Sequence, residues 1–265
     1  MVCIRGPNNA KQPPWSFASE DRRRRKCFVN KQTRNWELHL GDCIEGMKAL
    51  DDKSVDHVIC DPPYSAHVHG NARSTDGKVH AISFDHLGDD MRSSAAVQFA
   101  RLSRRWVLVF CEEEGAHLWR RRLKEAGLEY IRTGRWCRTN GMPQITGDRP
   151  AQGDEAIVIA HPPGRKKWNG GGRPATYHCP LANGDGERIH PTQKPESLMD
   201  MIVRDFTDPG NLVLDAFAGS GTTAVACIRN GRQFIGWEQS PEYHSRAIRR
   251  LSATREQLDI FRSAK

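Results

Sequence analysis

The chain has 265 residues, with 40 Lys and Arg against 32 Asp and Glu, a net charge of +8 and a composition 37% hydrophobic and 8% aromatic. That is enough for one large α/β domain or two small ones. No stretch approaches the roughly 18 consecutive apolar residues of a membrane span, and Met1-Val2-Cys3-Ile4-Arg5-Gly6-Pro7 lacks the basic-then-apolar layout of a secretion signal. Neither a membrane nor a secreted protein is expected, and the eight scattered cysteines, with no Cys-x-x-Cys pair, read as free thiols of a reducing cytoplasm.

Residues 1–35 hold nine Lys and Arg and two Asp and Glu, which is +7 of the +8. They read as a basic tail, either a polyanion-binding arm or a solvated, disordered one, centred on Arg22-Arg23-Arg24-Arg25-Lys26. From residue 36 onward short apolar runs alternate with helical stretches. The predicted strands are Trp36–Leu40, Val55–Cys60, Trp106–Phe110, Tyr130–Cys137, Ala156–Ala160, Leu212–Asp215 and Gln233–Glu238. The predicted helices lie at Cys43–Leu50, Ala95–Ser103, Glu114–Ala126, Ser197–Phe206, Thr222–Asn230 and Pro241–Ser263. Seven strands alternating with helices imply an α/β domain over 36–265 with a doubly wound, mainly parallel sheet, because parallel neighbours need crossover connections. Ser240 can cap the last helix, and Gly231 suits a left-handed helix end. Residues 64–94 and 161–190 resist this pattern and read as surface loops on the ligand-binding side of the sheet.

Two segments carry chemistry. Val58-Ile59-Cys60-Asp61-Pro62-Pro63-Tyr64 takes a buried strand into a stiff turn, fixing a carboxylate and a ring outside its carboxyl end, where open α/β sheets place ligands. Proline has no N–H, so the neighbouring carbonyls are left free to accept from a ligand's amino group. An isolated Asp-Pro-Pro could be purely structural; the tyrosine favours a site. The second segment, Leu212-Val213-Leu214-Asp215-Ala216-Phe217-Ala218-Gly219-Ser220-Gly221-Thr222-Thr223, runs from strand through Gly-x-Gly into helix and offers backbone N–H groups to a nucleotide-like ligand. No Lys follows Gly221, so it is not a P-loop, and Ala224 stands at the third glycine position. Glu238, at the end of the next strand, suits ribose hydroxyls. A nucleoside cofactor without an essential pyrophosphate fits better than a dinucleotide.

With His190-Pro191-Thr192-Gln193-Lys194-Pro195, these segments resemble the amino-group DNA methyltransferases that use S-adenosyl-L-methionine. The order, tetrad before cofactor loop, resembles their β class, a circular permutation. The resemblance covers residues 36–255. It implies a Rossmann-like methyltransferase sheet and methyl transfer to the exocyclic amino group of a flipped-out base in double-stranded DNA. Carried over by position, it makes Asp61, Pro62, Pro63 and Tyr64 the catalytic tetrad. Phe217, Gly219, Gly221 and Thr222 shape the cofactor pocket, Asp215 lies at its floor, and Glu238 binds the ribose. Asp42, beside Cys43, contacts the adenine. Thr192, Gln193 and Lys194 hold the methionine end, and Asp61 also faces the cofactor. Asp42 could instead be only a helix cap and Lys194 only a surface lysine.

The chemistry accounts for the tetrad. A base amino group is a poor nucleophile because its lone pair is delocalised into the ring. If the Asp61 carboxylate and the Pro62 carbonyl accept its two N–H bonds, the nitrogen can pyramidalise toward the methyl donor. Tyr64 offers a stacking face for a flipped base. C5 attack on cytosine would need a Pro-Cys nucleophile, and none of the fifteen prolines precedes a cysteine. Among the resembling enzymes Asp at the first tetrad position is commoner for N6-adenine and Ser for N4-cytosine, so adenine is expected, with N4-cytosine the alternative. RNA or protein-glutamine methylation and a catalytically dead DNA-binding protein are the remaining readings; related protein enzymes usually carry Asn in place of Asp61.

For the polynucleotide, Arg135 and Arg138 flank Trp136, while Arg165, Lys166, Lys167 and Arg173 bracket Trp168. Basic groups interleaved with an aromatic suit phosphate contact and stacking. The resemblance places target recognition in residues 161–190, a short module. Arg120-Arg121-Arg122 reads as a solvated helix face. His67, His69, His80 and His86 lack supporting acid or Cys ligands, so no metal is expected. The resemblance leaves room for a homodimer and for a cognate restriction endonuclease as partners, in a bacterial or phage-encoded protein.

Overall fold

The structure, a computed structural model, describes residues 35–63, 88–141, 143–181 and 193–263. Strand β3 (Val107–Cys111) is buried at all five positions, as a strand covered on both faces must be. Its neighbours are β1 (Trp36–Leu40), β2 (His57–Cys60), β4 (Glu129–Arg138), β5 (Asp154–His161), β6 (Thr176–Cys179), β7 (Leu212–Asp215) and β8 (Gln233–Glu238). They form one sheet in the order β1-β8-β7-β2-β3-β5-β4-β6. Every neighbouring pair is parallel except those of β5, which is antiparallel to β3 and to β4.

The helices are α1 (Cys43–Lys48), α2 (Asp89–Leu102), α3 (Glu113–Glu125), α4 (Glu196–Phe206), α5 (Thr222–Arg229) and α6 (Pro241–Ser263). Apolar residues of α1, α2 and α3, among them Met47, Phe99, Trp119 and Leu123, form the core on one face of the sheet. Those of α4, α5 and α6, among them Leu198, Ile202, Val225 and Leu251, form the core on the other. The sheet is doubly wound and mainly parallel, as expected.

Three expectations change. Among the described residues the sheet has eight strands, not seven: β6 falls inside 161–190, and its four residues give only one alternation, with Tyr177 and Cys179 inward and His178 outward. Helix α2 begins at Asp89 rather than Ala95, because its first turn, Asp89 and Asp90, is acidic and lacks apolar periodicity. The third change is positional. Since β5 is reversed, its last residue, His161, pairs with Glu129, the first of β4, and Ala160 pairs with Val107, the first of β3. Residues 162–173 therefore leave from the amino ends of the parallel strands, opposite to the ligand-binding side on which all of 161–190 was expected. Local boundaries follow their causes: Gly231 is left-handed at φ 72, and the Tyr243 amide donates to the Ser240 hydroxyl at 3.4 Å.

Candidate active site

The chain leaves the central pair β7 and β2 in opposite directions, through α5 to β8 on one side and through α2 to β3 on the other. That topological switch point is where an open α/β sheet leaves a crevice at its carboxyl edge. Both sequence motifs open onto it. Pairing of Val58 with Leu214 sets Asp61, just past β2, beside the turn that follows β7.

The β7 turn is organised by Asp215. It is buried, and its two oxygens accept from the Phe217 amide at 3.0 Å and the Thr223 hydroxyl at 2.6 Å. Burial pushes its pKa up to about 7 against the pull of those two bonds, and the charges of Asp61 and Glu238 add to the rise. Gly219 and Gly221 stand at φ 52 and φ 77, conformations that cost little only for glycine. A side chain at Gly219 would meet the Phe217 carbonyl oxygen at 4.0 Å, and one at Gly221 would touch Ala247 at 3.4 Å, so at both positions the positive φ rather than crowding calls for glycine. Thr222 is buried, with its hydroxyl 3.1 Å from that of Ser220, and Phe217 is half-buried. Glu238 accepts from the Gly219 amide at 2.9 Å and the Ser240 amide at 2.6 Å, so it closes the loop from the end of β8.

Asp42 caps α1, accepting from the Glu45 amide at 2.9 Å, and stays exposed. The Gly41 amide bonds the Glu238 carbonyl at 3.0 Å, which holds Asp42 at the same edge. Cys43 is buried beside it, with burial and then the Asp42 charge pushing the thiol up to about 12. The Asp42 cap reading and a ligand contact are compatible, because only one oxygen is used by the helix.

Lys194 is no surface lysine. Its side chain is 7% exposed, and its ammonium donates to Asp61 at 2.7 Å and pairs with Glu155 at 3.0 Å. It lies over the rings of Phe110 and Trp136, at 5.3 and 5.9 Å. Burial pulls its pKa down, but Asp61 and Glu155 together outweigh that and hold it above the ordinary lysine value. Pro62 is buried, and Pro63 and Gln193 are half-buried, at the same edge. Tyr64 and Thr192 lie outside the described residues, as do His67, His69, His80 and His86.

Sequence reasoning missed two residues here. Glu155 sits at the start of β5; an acid one residue before the buried run Ala156–Ala160 was the available signal. Arg250 of α6 donates to the Ser220 carbonyl at 2.9 Å and bonds Glu196, next to Pro195. Nothing local marked it among the arginines of that helix.

The basic residues fare differently. Trp136 is buried, its indole N–H donating to the Cys179 carbonyl at 3.1 Å, so it offers no stacking face; its alternation in β4 turns it inward. Arg138 pairs with Glu155 at 3.6 Å and lies over Trp136, and Arg135 pairs with Glu113 and with Asp154 at 3.0 Å. Lys166 binds Glu129, Lys167 binds Asp208 and Arg173 binds Asp205, at 2.5, 2.7 and 2.7 Å. Trp168 packs edge-on against Phe206 with ring centres 4.7 Å apart, and Arg165 is exposed. The Arg165–Arg173 group sits at the amino edge of the sheet, away from Asp61.

Comparisons with known proteins agree with this architecture. Residues 167–249 match the family model described as DNA methylase. The type II methyltransferase M2.DpnII of Streptococcus pneumoniae is 27% identical over 246 residues, covering 81% of this chain and 89% of that one. The crystal structure of the M1.HpyAVI-SAM complex superposes with a TM-score of 0.63 at 27% identity, covering 82% of this chain and 98% of that one. The cytosine-N4-specific PvuII DNA methyltransferase superposes with a TM-score of 0.66 at 18% identity, covering 85% and 93%, a likeness of fold. The sheet is that of the Rossmann-like methyltransferases.

Proposed function

We propose that this chain, which shares the fold and the ordered motifs of the N6/N4 DNA amino-methyltransferases, transfers a methyl group from S-adenosylmethionine to the exocyclic amino group of a base in DNA, N6 of adenine. The observation that carries the reading is the placement of Asp61, held by a buried Lys194, across the switch point from the Gly219–Gly221 turn. The residues fit the cofactor: Gly219 and Gly221 hold the turn in left-handed backbone that brings its main chain to the crevice, Asp215 is buried below the turn, and Glu238 rims it from β8.

S-adenosylmethionine supplies an electrophilic methyl group when bound. The protein's part is to make the base nitrogen a nucleophile. Asp61 accepts one amino N–H and the Pro62 carbonyl the other, so the nitrogen turns its lone pair out of the ring plane; positioning and charge stabilisation supply most of the acceleration. Lys194 donates to Asp61 at 2.7 Å and holds that carboxylate in place, and a charged acceptor forms the stronger bond. Gln193 and Lys194 would hold the methionine end of the cofactor, and Asp42 and Glu238 its nucleoside. The Asp at the first tetrad position supports adenine over cytosine.

Incubating the protein with methyl-labelled cofactor and unmethylated duplex DNA tests this. Nuclease digestion and mass spectrometry should find N6-methyladenine, and Asp61→Ala should lower the rate by at least about a thousandfold. N4-methylcytosine as product would move the target base while keeping the reaction. No label in DNA, or an Asp61→Ala protein of undiminished rate, would overturn the reading.

A further inference from the structure

Four charged groups alternate in sign toward the crevice: Arg138 on β4, Glu155 on β5, Lys194 ahead of α4 and Asp61 after β2. The successive contacts are 3.6, 3.0 and 2.7 Å. Glu155 is the link that the tetrad and cofactor motifs do not explain. Its side chain is 12% exposed, and it stands on a strand, in register with Trp136 of β4. Lys194, by contrast, reaches in from an irregular segment on a flexible stem.

We propose that Glu155 is a positioning residue for the methyl-transfer reaction: from β5 it fixes the Lys194 ammonium on Asp61, and so sets the orientation of that carboxylate. The inference rests on the transfer reading above. A buried ammonium facing one carboxylate can swing about it, whereas one held between two carboxylates and above two rings has a single place. Glu155 also separates Lys194 from Arg138. Without its charge two cations would face each other across a neutral side chain, which drives Lys194 off Asp61 or deprotonates it. Asp215, the last residue of β7, also interacts electrostatically with Asp61.

Glu155→Gln keeps the shape and removes the charge. Methyl transfer at saturating DNA and cofactor should fall about a hundredfold in kcat, the scale of a misplaced reacting group, with KM for DNA little changed. Because Lys194 loses one of two carboxylates, its pKa falls. The alkaline limb of the kcat profile should therefore begin on the order of one pH unit lower than in the parent protein. Carbon-13 labelling of lysine, with the Lys194 signal assigned by its loss in Lys194→Met, should show the same displacement directly. Glu155→Asp, which keeps the charge on a shorter stem, should recover most of the activity and the original alkaline limb. It also serves if Glu155→Gln does not fold. In the Lys194→Met background Glu155→Gln should add no further loss.

Unreduced kcat in Glu155→Gln, or an unmoved Lys194 titration, overturns the proposal, as does a loss in Glu155→Asp equal to that in Glu155→Gln. If the parent protein methylates no DNA base while the Lys194 titration still shifts, the transfer reading falls and this one with it. Normal transfer with an unmoved titration removes Glu155 alone.

Discussion

Strand β2 has a buried titratable group at its start and a carboxylate just past its end, and they are treated in opposite ways. At the amino edge His57 is fully buried and meets the Asn211 side-chain oxygen at 3.0 Å; burial pulls its pKa down to about 4, so it stays neutral. Around it each charge is closed off by a neighbour. Asp208 takes Lys167, Arg105 and the Asn169 amide, while Asp205 takes Arg173 and the Tyr177 hydroxyl. At the carboxyl edge, the half-buried Arg138, Glu155 and Asp61 and the buried Lys194 converge on a crevice, and the Asp215 carboxyl is pushed up to about 7. Burying charge costs stability, and perturbed ionisable groups cluster at functional sites. Basic residues around a tryptophan therefore do not by themselves mark a nucleic-acid surface; the edge of the sheet they occupy decides.

The largest expected effect at the amino edge is on folding. Trp168 fills the gap beside Phe206, and its indole N–H donates to the Gly171 carbonyl at 2.8 Å. Trp168→Ala should lower stability by about 3 kcal/mol in denaturant unfolding, with methyl transfer per folded molecule unchanged. Weakened DNA affinity at unchanged stability would break the comparison.

Next in size is the basic segment 1–35, which lies outside the described residues and holds +7 of the net +8. With Lys166, Lys167 and Arg173 paired to carboxylates, the proposed function makes this segment the expected source of salt-dependent DNA binding. Its removal should weaken DNA binding about tenfold and flatten the plot of affinity against salt, each lost phosphate contact being worth about 0.9 in slope. Cofactor affinity by calorimetry should not move. Undiminished DNA affinity would make the segment a bystander.

His57 sharpens the comparison through pH. Its folded pKa lies below the ordinary histidine value of 6.5, so the neutral ring contributes stability that is complete above that value and is lost as pH falls toward about 4. Between pH 7 and 4 the parent protein should lose on the order of 2 kcal/mol more than His57→Gln. Parallel pH profiles for the two would show that the ring is not held neutral.

The carboxyl edge was largely legible because its parts are local. Asp61-Pro62-Pro63 and Asp215 through Thr223 each place acid, turn and strand end within a few residues, and the structure sets them side by side. Glu155 was not, because its meeting with Lys194 depends on β5 pairing with β4. The amino edge was misread for the same reason. The apolar run Ala156–Ala160 states that a strand exists but not which way it points, and reversing it carried Arg165 through Arg173 to the far side. Strand β6 escaped because Thr176–Cys179 is too short to show a period.

The smallest effect separates the two edges most cleanly. Lys167 reaches both oxygens of Asp208, at 2.8 and 2.7 Å, yet its side chain is 59% exposed. An exposed pair of this kind contributes at most about 1 kcal/mol, so Lys167→Ala should barely change the unfolding midpoint. The decisive measurement is DNA affinity across a salt series. A lysine spent on a carboxylate releases no counterion from DNA, so the slope should equal that of the parent protein. A lysine bound to phosphate would lower it by about 0.9. A lowered slope would bring the duplex to the amino edge and end the distinction between the two.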